Sequence, residues 1–330
     1  MKDTLNYLSS HKTLGREESK AILIEMAKGQ FSESEMAAFL AVYLMRPITV
    51  EEMVGFREAL LELCLAIDLS AYDPIDLCGT GGDGKDTFNI STLASFVVAG
   101  AGIKVAKHGN YGVSSVSGSS NMMEYFGIRF TNDEQVLQRQ LETSGICFLH
   151  APFFHPALKN VGPVRQALRV KTFFNMLGPM VNPAGVKHQL VGVFNLELAR
   201  IYAYLYQQTA VNYTIVHALD GYDEVSLTGQ AKVYGRHRER LITPEEFGVE
   251  TLSAEQIRGG ASVPEMAKIF IDVLKGLGTA AQQNVVCANA ALAINCVYPE
   301  LSLEQSFQLA AESLQSGKAL SVFNKLVELQ

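Results

Sequence analysis

The sequence predicts an α/β fold: a small N-terminal helical domain, then a larger α/β domain whose mostly parallel central sheet is covered by helices. Three observations carry this. The chain has 330 residues, enough for one large core or two smaller ones. Its first seventy residues carry helix signatures only. From Pro74 onward, short apolar runs alternate with longer periodic segments, the pattern of parallel strands with helices on both faces.

The N-terminal block reads as helices because Ser32-x-x-Glu35 and Thr49-x-x-Glu52 are capping-box patterns, each set before an apolar-periodic run. The first run puts Met36, Phe39, Leu40 and Tyr43 on one face, and the second does the same with Met53, Leu60, Leu61 and Cys64. Arg46-Pro47 separates the two helices. Strands are expected at 75–78, 103–106, 127–130, 146–149, 189–194 and 213–217. Helices are expected at 91–101, 132–144 and 196–210, with several more after 263. No internal repeat or low-complexity tract interrupts them.

Composition narrows the function classes. Charged residues are 18% and apolar residues 48%, which excludes a disordered chain. The net charge of −7 offers nucleic acid no general attraction, and no such partner is expected. Cys64, Cys78, Cys147, Cys287 and Cys296 form no Cys-x-x-Cys pair and read as small buried apolar residues. His150, His155, His188 and His237 lack ligand spacing, so zinc is not expected. The first ten residues lack the apolar run of a secretory peptide, and the longest apolar stretch, 96–102, is far too short to cross a bilayer. A cytoplasmic location without membrane partners is expected.

The chemistry concentrates between Asp76 and Glu124. Gly79-Thr80-Gly81-Gly82-Asp83-Gly84 follows a strand, so it stands at the carboxyl edge of the sheet, where α/β folds collect ligands. Its glycines let backbone N–H groups converge on an anion, although Asp83 would repel a phosphate and suits a ribose hydroxyl or a metal. No Gly-Lys-Ser/Thr closes the loop and the dinucleotide GxGxxG is not matched, so ATP and NAD fit poorly. Ser91 and Thr92 precede an apolar helix, so one of them is a natural N-cap, and a helix N-terminus is also an anion site. Lys107 and His108 are expected to leave the second strand for another glycine-rich loop, where Lys107 with Ser114, Ser115, Ser117 and Ser119 would clamp phosphate. For His108, packing, an aromatic contact and proton transfer stay open. Together these loops read as a site for a polyphosphorylated substrate with a metal.

The order of these strings resembles the anthranilate phosphoribosyltransferases, a branch of the family-3 glycosyltransferase and nucleoside phosphorylase superfamily. Its hallmarks stand here as GTGGDG from Gly79, TFNIST from Thr87, KHGN from Lys107, VSS from Val113 and SGS from Ser117. They continue with HPA from His155, PVR from Pro163, FNxLGP from Phe174, NPA from Asn182 and the pair Asp223-Glu224. The match runs in order from the N-terminal helices to a Ser-Gly-Lys-Ala ending at Ala319.

The resemblance implies a helical domain of residues 1–70, joined by about 164–184 and forming a homodimer contact. An α/β domain of 71–330 would follow, with the active site in the cleft between the two. It implies transfer of the phosphoribosyl group of 5-phosphoribosyl 1-diphosphate to the amine of anthranilate, in tryptophan biosynthesis. Loops and resemblance together nominate a donor site. It takes Gly79, Gly82 and Asp83 from the first loop and Thr87, Asn89, Ile90, Ser91 and Thr92 from the second. From the third come Lys107, His108, Gly109, Asn110, Tyr111, Gly112, Val113, Ser114 and Ser115, with Ser119. The resemblance implies acceptor contacts from Gly79, Asn110 and Arg165, the arginine gripping a carboxylate through its fork. It also implies Mg²⁺ at Ser91, Asp223 and Glu224, hard oxygens that suit this ion. No side chain is nominated as a certain acid or base.

The rival readings are a pyrimidine nucleoside phosphorylase of the same superfamily and a nucleic-acid-binding relative. The first lacks the PVR and FNxLGP strings, and the second would need a basic groove. Three positions depart from the common family pattern: Tyr111 stands for Arg, Asn121 for an acidic residue, and Arg46-Pro47 for Lys-Gly. They bear on affinity, not on the reaction.

Overall fold

The computed structural model describes residues 1–112, 116–236 and 238–330. Val113, Ser114, Ser115 and His237 lie outside the described residues. The chain divides into a helical unit, Met1–Ile67 with Ala151–Pro183, and an α/β unit, Asp68–His150 with Ala184–Gln330.

In the helical unit both capping boxes form. Ser32 Oγ accepts the Glu35 N–H at 3.3 Å and Glu35 returns a carboxylate to the Ser32 N–H at 2.9 Å. Thr49 and Glu52 repeat this at 3.2 and 2.9 Å. The helices Glu33–Met45 and Val50–Leu63 that follow bury Phe39 and Phe56, and Phe173 stacks on Phe56 with ring centroids 4.5 Å apart. Phe173 belongs to the returning segment, which starts at Ala151 and not near Val164. The earlier start follows from local bonding: the Leu65 N–H donates to Phe154 O at 2.8 Å, and His155 Nε2 meets Val181 O at 3.0 Å. Arg46 has a defined task here. It forks onto the buried Glu52 at 2.9 and 2.5 Å and lies 4.7 Å from the Tyr43 ring.

The α/β unit is built on a seven-stranded sheet of β1 (Ile75–Gly79), β2 (Val105–Gly109), β3 (Ile146–His150), β4 (His188–Gly192), β5 (Asn212–Ala218), β6 (Ala231–Gly235) and β7 (Glu239–Ile242), in the order β3-β2-β1-β4-β5-β6-β7. The first five in that order are parallel, and β6 and β7 are antiparallel. The helix Ile90–Gly100 is buried over most of its length and packs against the helices Ala280–Val297 and Lys318–Glu328. Among the described residues no helix is long and apolar enough to cross a membrane.

Three expectations are corrected, and one element was not foreseen. Residues 127–130 form no strand, because Gly127 at φ +81° ends the helix Ser119–Tyr125 and Phe130 instead stacks on His150 at 4.3 Å. The second strand is Val105–Gly109 and not 103–106, since the turn at Gly102 (φ +98°) delays its start, so Lys107 and His108 lie within the sheet. The helix expected from Ser91 starts at Ile90 with Asn89 as N-cap. The hairpin of β6 and β7 had no expected counterpart. Its strands are short and mix charge with apolar residues, as in Ala231-Lys-Val-Tyr-Gly and Glu239-Arg-Leu-Ile.

Candidate active site

The strand order reverses between β1 and β4, since β1 is followed by β2 on one side and β4 by β5 on the other. The carboxyl ends at such a reversal leave a crevice where α/β folds bind ligands. The first glycine loop rises from it, anchored by the Thr80 N–H donating to Gly192 O at 2.9 Å. Gly81 and Gly82 take φ of +61° and +77°, so the loop turns through backbone that other residues rarely adopt.

The loop after β5 brings the acidic pair onto this crevice. A Cβ on Gly79 would lie 2.9 Å from Asp223 Oδ2, and one on Gly192 would overlap the Asp223 carbonyl. Only glycines at both strand ends let Asp223 settle there. Its carboxylate accepts the Gly81 N–H at 2.8 Å, and Glu224 accepts the Ser91 N–H at 2.9 Å. Glu224 thus supplies what no local side chain provides at the start of the helix Ile90–Gly100. Asn89 holds the N-cap position, but its side chain makes no capping hydrogen bond and its amide donates instead to Ser117 O at 3.1 Å. Asp83 faces the pair, accepting the Asp223 N–H at 3.4 Å and the Lys85 N–H at 3.0 Å. Burial pushes the Asp223 carboxyl above its usual range, with the charge of Asp83 next in weight; burial and then Asp223 do the same to Glu224. Three carboxylates in so small a volume favour a cation.

Sequence reasoning missed the anchor of this loop. Buried Asn289, on the helix Ala280–Val297, accepts the Val225 N–H at 3.0 Å and donates to Val225 O at 2.8 Å. An asparagine amid alanines in an apolar helix is a weak signal, and only tertiary structure gives it a partner.

Thr87 bridges to Arg258, and Ile90 and Thr92 are buried at the helix start. Lys107 is 2% exposed and donates its ammonium to Leu77 O, beneath the loops and not in the solvated clamp expected of it. The His108 N–H donates to Asp76 Oδ1 at 3.0 Å. Gly109 ends β2 where a Cβ would overlap Ser119 Oγ and the Phe148 ring. Beyond it, Asn110 O accepts the Ser120 N–H at 3.1 Å, and Asn110 Oδ1 accepts the Tyr111 N–H at 2.8 Å. The departures find roles here. Asn121 Oδ1 takes the N–H groups of Gly112 and Gly118, each at 2.9 Å, as a carboxylate would. Tyr111 rests edge-on against His150 at 4.9 Å.

Arg165 lies in the helical unit, on the helix Gly162–Leu168, with its guanidinium 5.2 Å from the Phe174 ring centroid. Burial alone acts on it and lowers its pKa, and among the described residues no carboxylate of that unit pairs with it. A half-buried guanidinium so placed favours an anionic ligand.

The two units match two parts of one family, which sets the class of protein. Residues 2–64 match the helical bundle domain and residues 71–320 the a/b domain of the glycosyl transferase family. An anthranilate phosphoribosyltransferase of Flavobacterium johnsoniae is 63% identical, across 100% of this chain and 99% of the relative. One of Bacteroides fragilis is 51% identical over the same shares. The crystal structure of the Thermus thermophilus anthranilate phosphoribosyltransferase superposes with a TM-score of 0.92 at 31% identity, covering 99% of each chain. That of Saccharomyces cerevisiae, in complex with PRPP and Mg, gives 0.90 at 25% identity, covering 100% of this chain and 98% of the other. The chain belongs to the anthranilate phosphoribosyltransferases, enzymes of the glycosyltransferase type.

Proposed function

We propose that the chain joins anthranilate to 5-phosphoribosyl 1-diphosphate, giving N-(5-phosphoribosyl)anthranilate and diphosphate, a step of tryptophan biosynthesis. The observation that carries this is the meeting, at the β1–β4 reversal, of backbone donors from Gly81 and Ser91 with the carboxylates of Asp223 and Glu224. In this reading 79–84, 87–92 and 109–119 bind the donor, and Asn110 and Arg165 serve the acceptor.

The aromatic amine is neutral at pH 7, so it attacks C1 without prior proton removal. As the C1–N bond forms, the C1–O bond to diphosphate breaks and the amine proton passes to solvent. Departure of diphosphate is the harder half. N–H groups of the glycine loop that reach its oxygens would stabilise the developing charge. Holding the amine in line behind C1 supplies much of the rest.

Magnesium fits this donor set. Among the described residues no three His, Cys, Asp or Glu side chains could hold a metal by themselves. Mg²⁺ typically takes one or two carboxylates, several waters and substrate phosphates. Asp223, Glu224 and the Ser91 hydroxyl would hold it, and when bound it offsets negative charge on the leaving diphosphate.

The reading extends to a homodimer through the helical unit, where Leu44 and Met45 are exposed, and to a cytoplasmic setting, which five free cysteines suit. The test is product analysis after incubation with both substrates and Mg²⁺. N-(5-phosphoribosyl)anthranilate and diphosphate in equal amounts are expected; diphosphate without the conjugate contradicts the transfer.

A further inference from the structure

A buried polar cluster under the loops has no part in the chemistry above. β1 pairs with β4 at all five positions from Ile75 to Gly79, and β2 pairs with β3 at all five from Val105 to Gly109. Yet β1 and β2 pair at a single position, Ile75 with Val105. Toward their carboxyl ends, where two of the phosphate-type loops begin, the strands stay adjacent and side-chain hydrogen bonds link them.

These links run on into a wider polar cluster. Asp76 Oδ1 accepts the His108 N–H at 3.0 Å, and the Lys107 ammonium donates to Leu77 O. From β4, Gln189 Nε2 donates to Asp76 Oδ2 at 3.2 Å, and the Tyr206 hydroxyl donates to Gln189 Oε1. Asp76 is fully buried, and Lys107, Gln189 and Tyr206 nearly so. Burying a carboxylate and an ammonium is unfavourable unless each is paired and hydrogen-bonded. An ordinary ladder of apolar residues would hold two parallel strands without them. Burial lowers the Lys107 pKa, and Asp76 is the foremost charge opposing that fall.

We propose that Asp76 is a positioning residue for the donor site. By taking the His108 N–H it ties the end of β2 to β1 and sets the spacing of the loops that leave Gly79 and Gly109. This rests on the phosphoribosyl-transfer reading above.

The test is calorimetric binding of 5-phosphoribosyl 1-diphosphate with Mg²⁺, and of anthranilate in the presence of diphosphate and Mg²⁺, to wild type and Asp76→Asn, with thermal denaturation alongside. Asparagine keeps an oxygen for the His108 N–H but removes the charge. Donor affinity should fall about tenfold, about 1.4 kcal/mol, while anthranilate affinity changes less than about twofold. A lower Tm with unchanged donor affinity in the folded variant marks a merely structural residue and overturns the proposal. So does equal weakening toward both substrates. Should Asp76→Asn not fold, Tyr206→Phe loosens the same chain at its far end. It should weaken donor binding about fivefold, the worth of one hydrogen bond; an unchanged affinity overturns the proposal. Wild type that binds the donor but fails to transfer it contradicts the functional reading alone. Wild type that binds no donor contradicts both.

Discussion

Glu224 accepts the Ser91 N–H at 2.9 Å and so caps the helix Ile90–Gly100 from a loop on the far side of the sequence. The consequence is a site in which acid and anion positions are built into one another. The N–H groups that suit a phosphate lie one hydrogen bond from the carboxylates that suit a cation. Asp223 and Gly81 repeat the relationship at 2.8 Å.

Replacing Asp223 and Glu224 by Asn and Gln should abolish most turnover and most Mg²⁺ activation. The same variant should be at least as stable as wild type. Both carboxyls are pushed up, so between their ordinary and raised values the folded state holds more protons than the unfolded one, and stability rises as pH falls through that window. Neutral amides remove that penalty. Thermal denaturation against pH, beside a steady-state assay, checks both halves; an unchanged metal dependence rules out the assignment.

Gly81→Ala separates backbone strain from crowding. A Cβ there meets nothing within 4 Å, but φ of +61° costs a side chain about 1–2 kcal/mol. The donor KM should rise moderately. Gly192→Ala, whose Cβ would overlap the Asp223 carbonyl, should damage turnover more, because it displaces the acidic loop. The reverse order in kinetics on folded variants contradicts this packing.

Much of this is legible in the sequence, and the exceptions share a cause. Ser32 with Glu35 and Thr49 with Glu52 are local pairs, so three-residue spacing reports them fully. Glycine loops are likewise local. Ser91 looks like its own helix cap in the sequence because the true acceptor, Glu224, comes from a distant loop. Lys107 reads as a solvated clamp because a lysine in a parallel strand gives no periodic sign of burial. Asn289 carries no pattern at all until Val225 is folded against it.

Arg165→Ala should raise the anthranilate KM by about tenfold to a hundredfold, since a charge-assisted hydrogen bond contributes roughly 1.5–3 kcal/mol. Donor affinity should stay near wild type. Arg165→Lys should recover part of the loss, an ammonium lacking the planar fork. Calorimetry on each substrate is the check. Equal weakening toward both points to general damage, and unchanged anthranilate binding removes Arg165 from the acceptor site.

The Arg46–Glu52 pair predicts a pH effect on stability alone. Burial pushes the Glu52 carboxyl up, but the Arg46 fork and the N–H groups of Thr49 and Leu14 outweigh it and hold its pKa below the usual range. Its stabilisation is therefore complete above about pH 4.3 and is lost as pH falls through the depressed value. Glu52→Ala should cost about 3–5 kcal/mol near neutrality by leaving Arg46 without its buried partner. The Tm gap to wild type should narrow in acid; a gap independent of pH contradicts the pairing.

The central claim is phosphoribosyl transfer to anthranilate at the crevice shared by Gly81, Ser91, Asp223 and Glu224. Its most direct test follows the fluorescence of anthranilate in the presence of enzyme and 5-phosphoribosyl 1-diphosphate, with Mg²⁺ and with a chelator. Steady loss of fluorescence that needs both donor and metal is the expected result. Anthranilate left unconsumed under every metal condition, by protein shown to be folded, would contradict it.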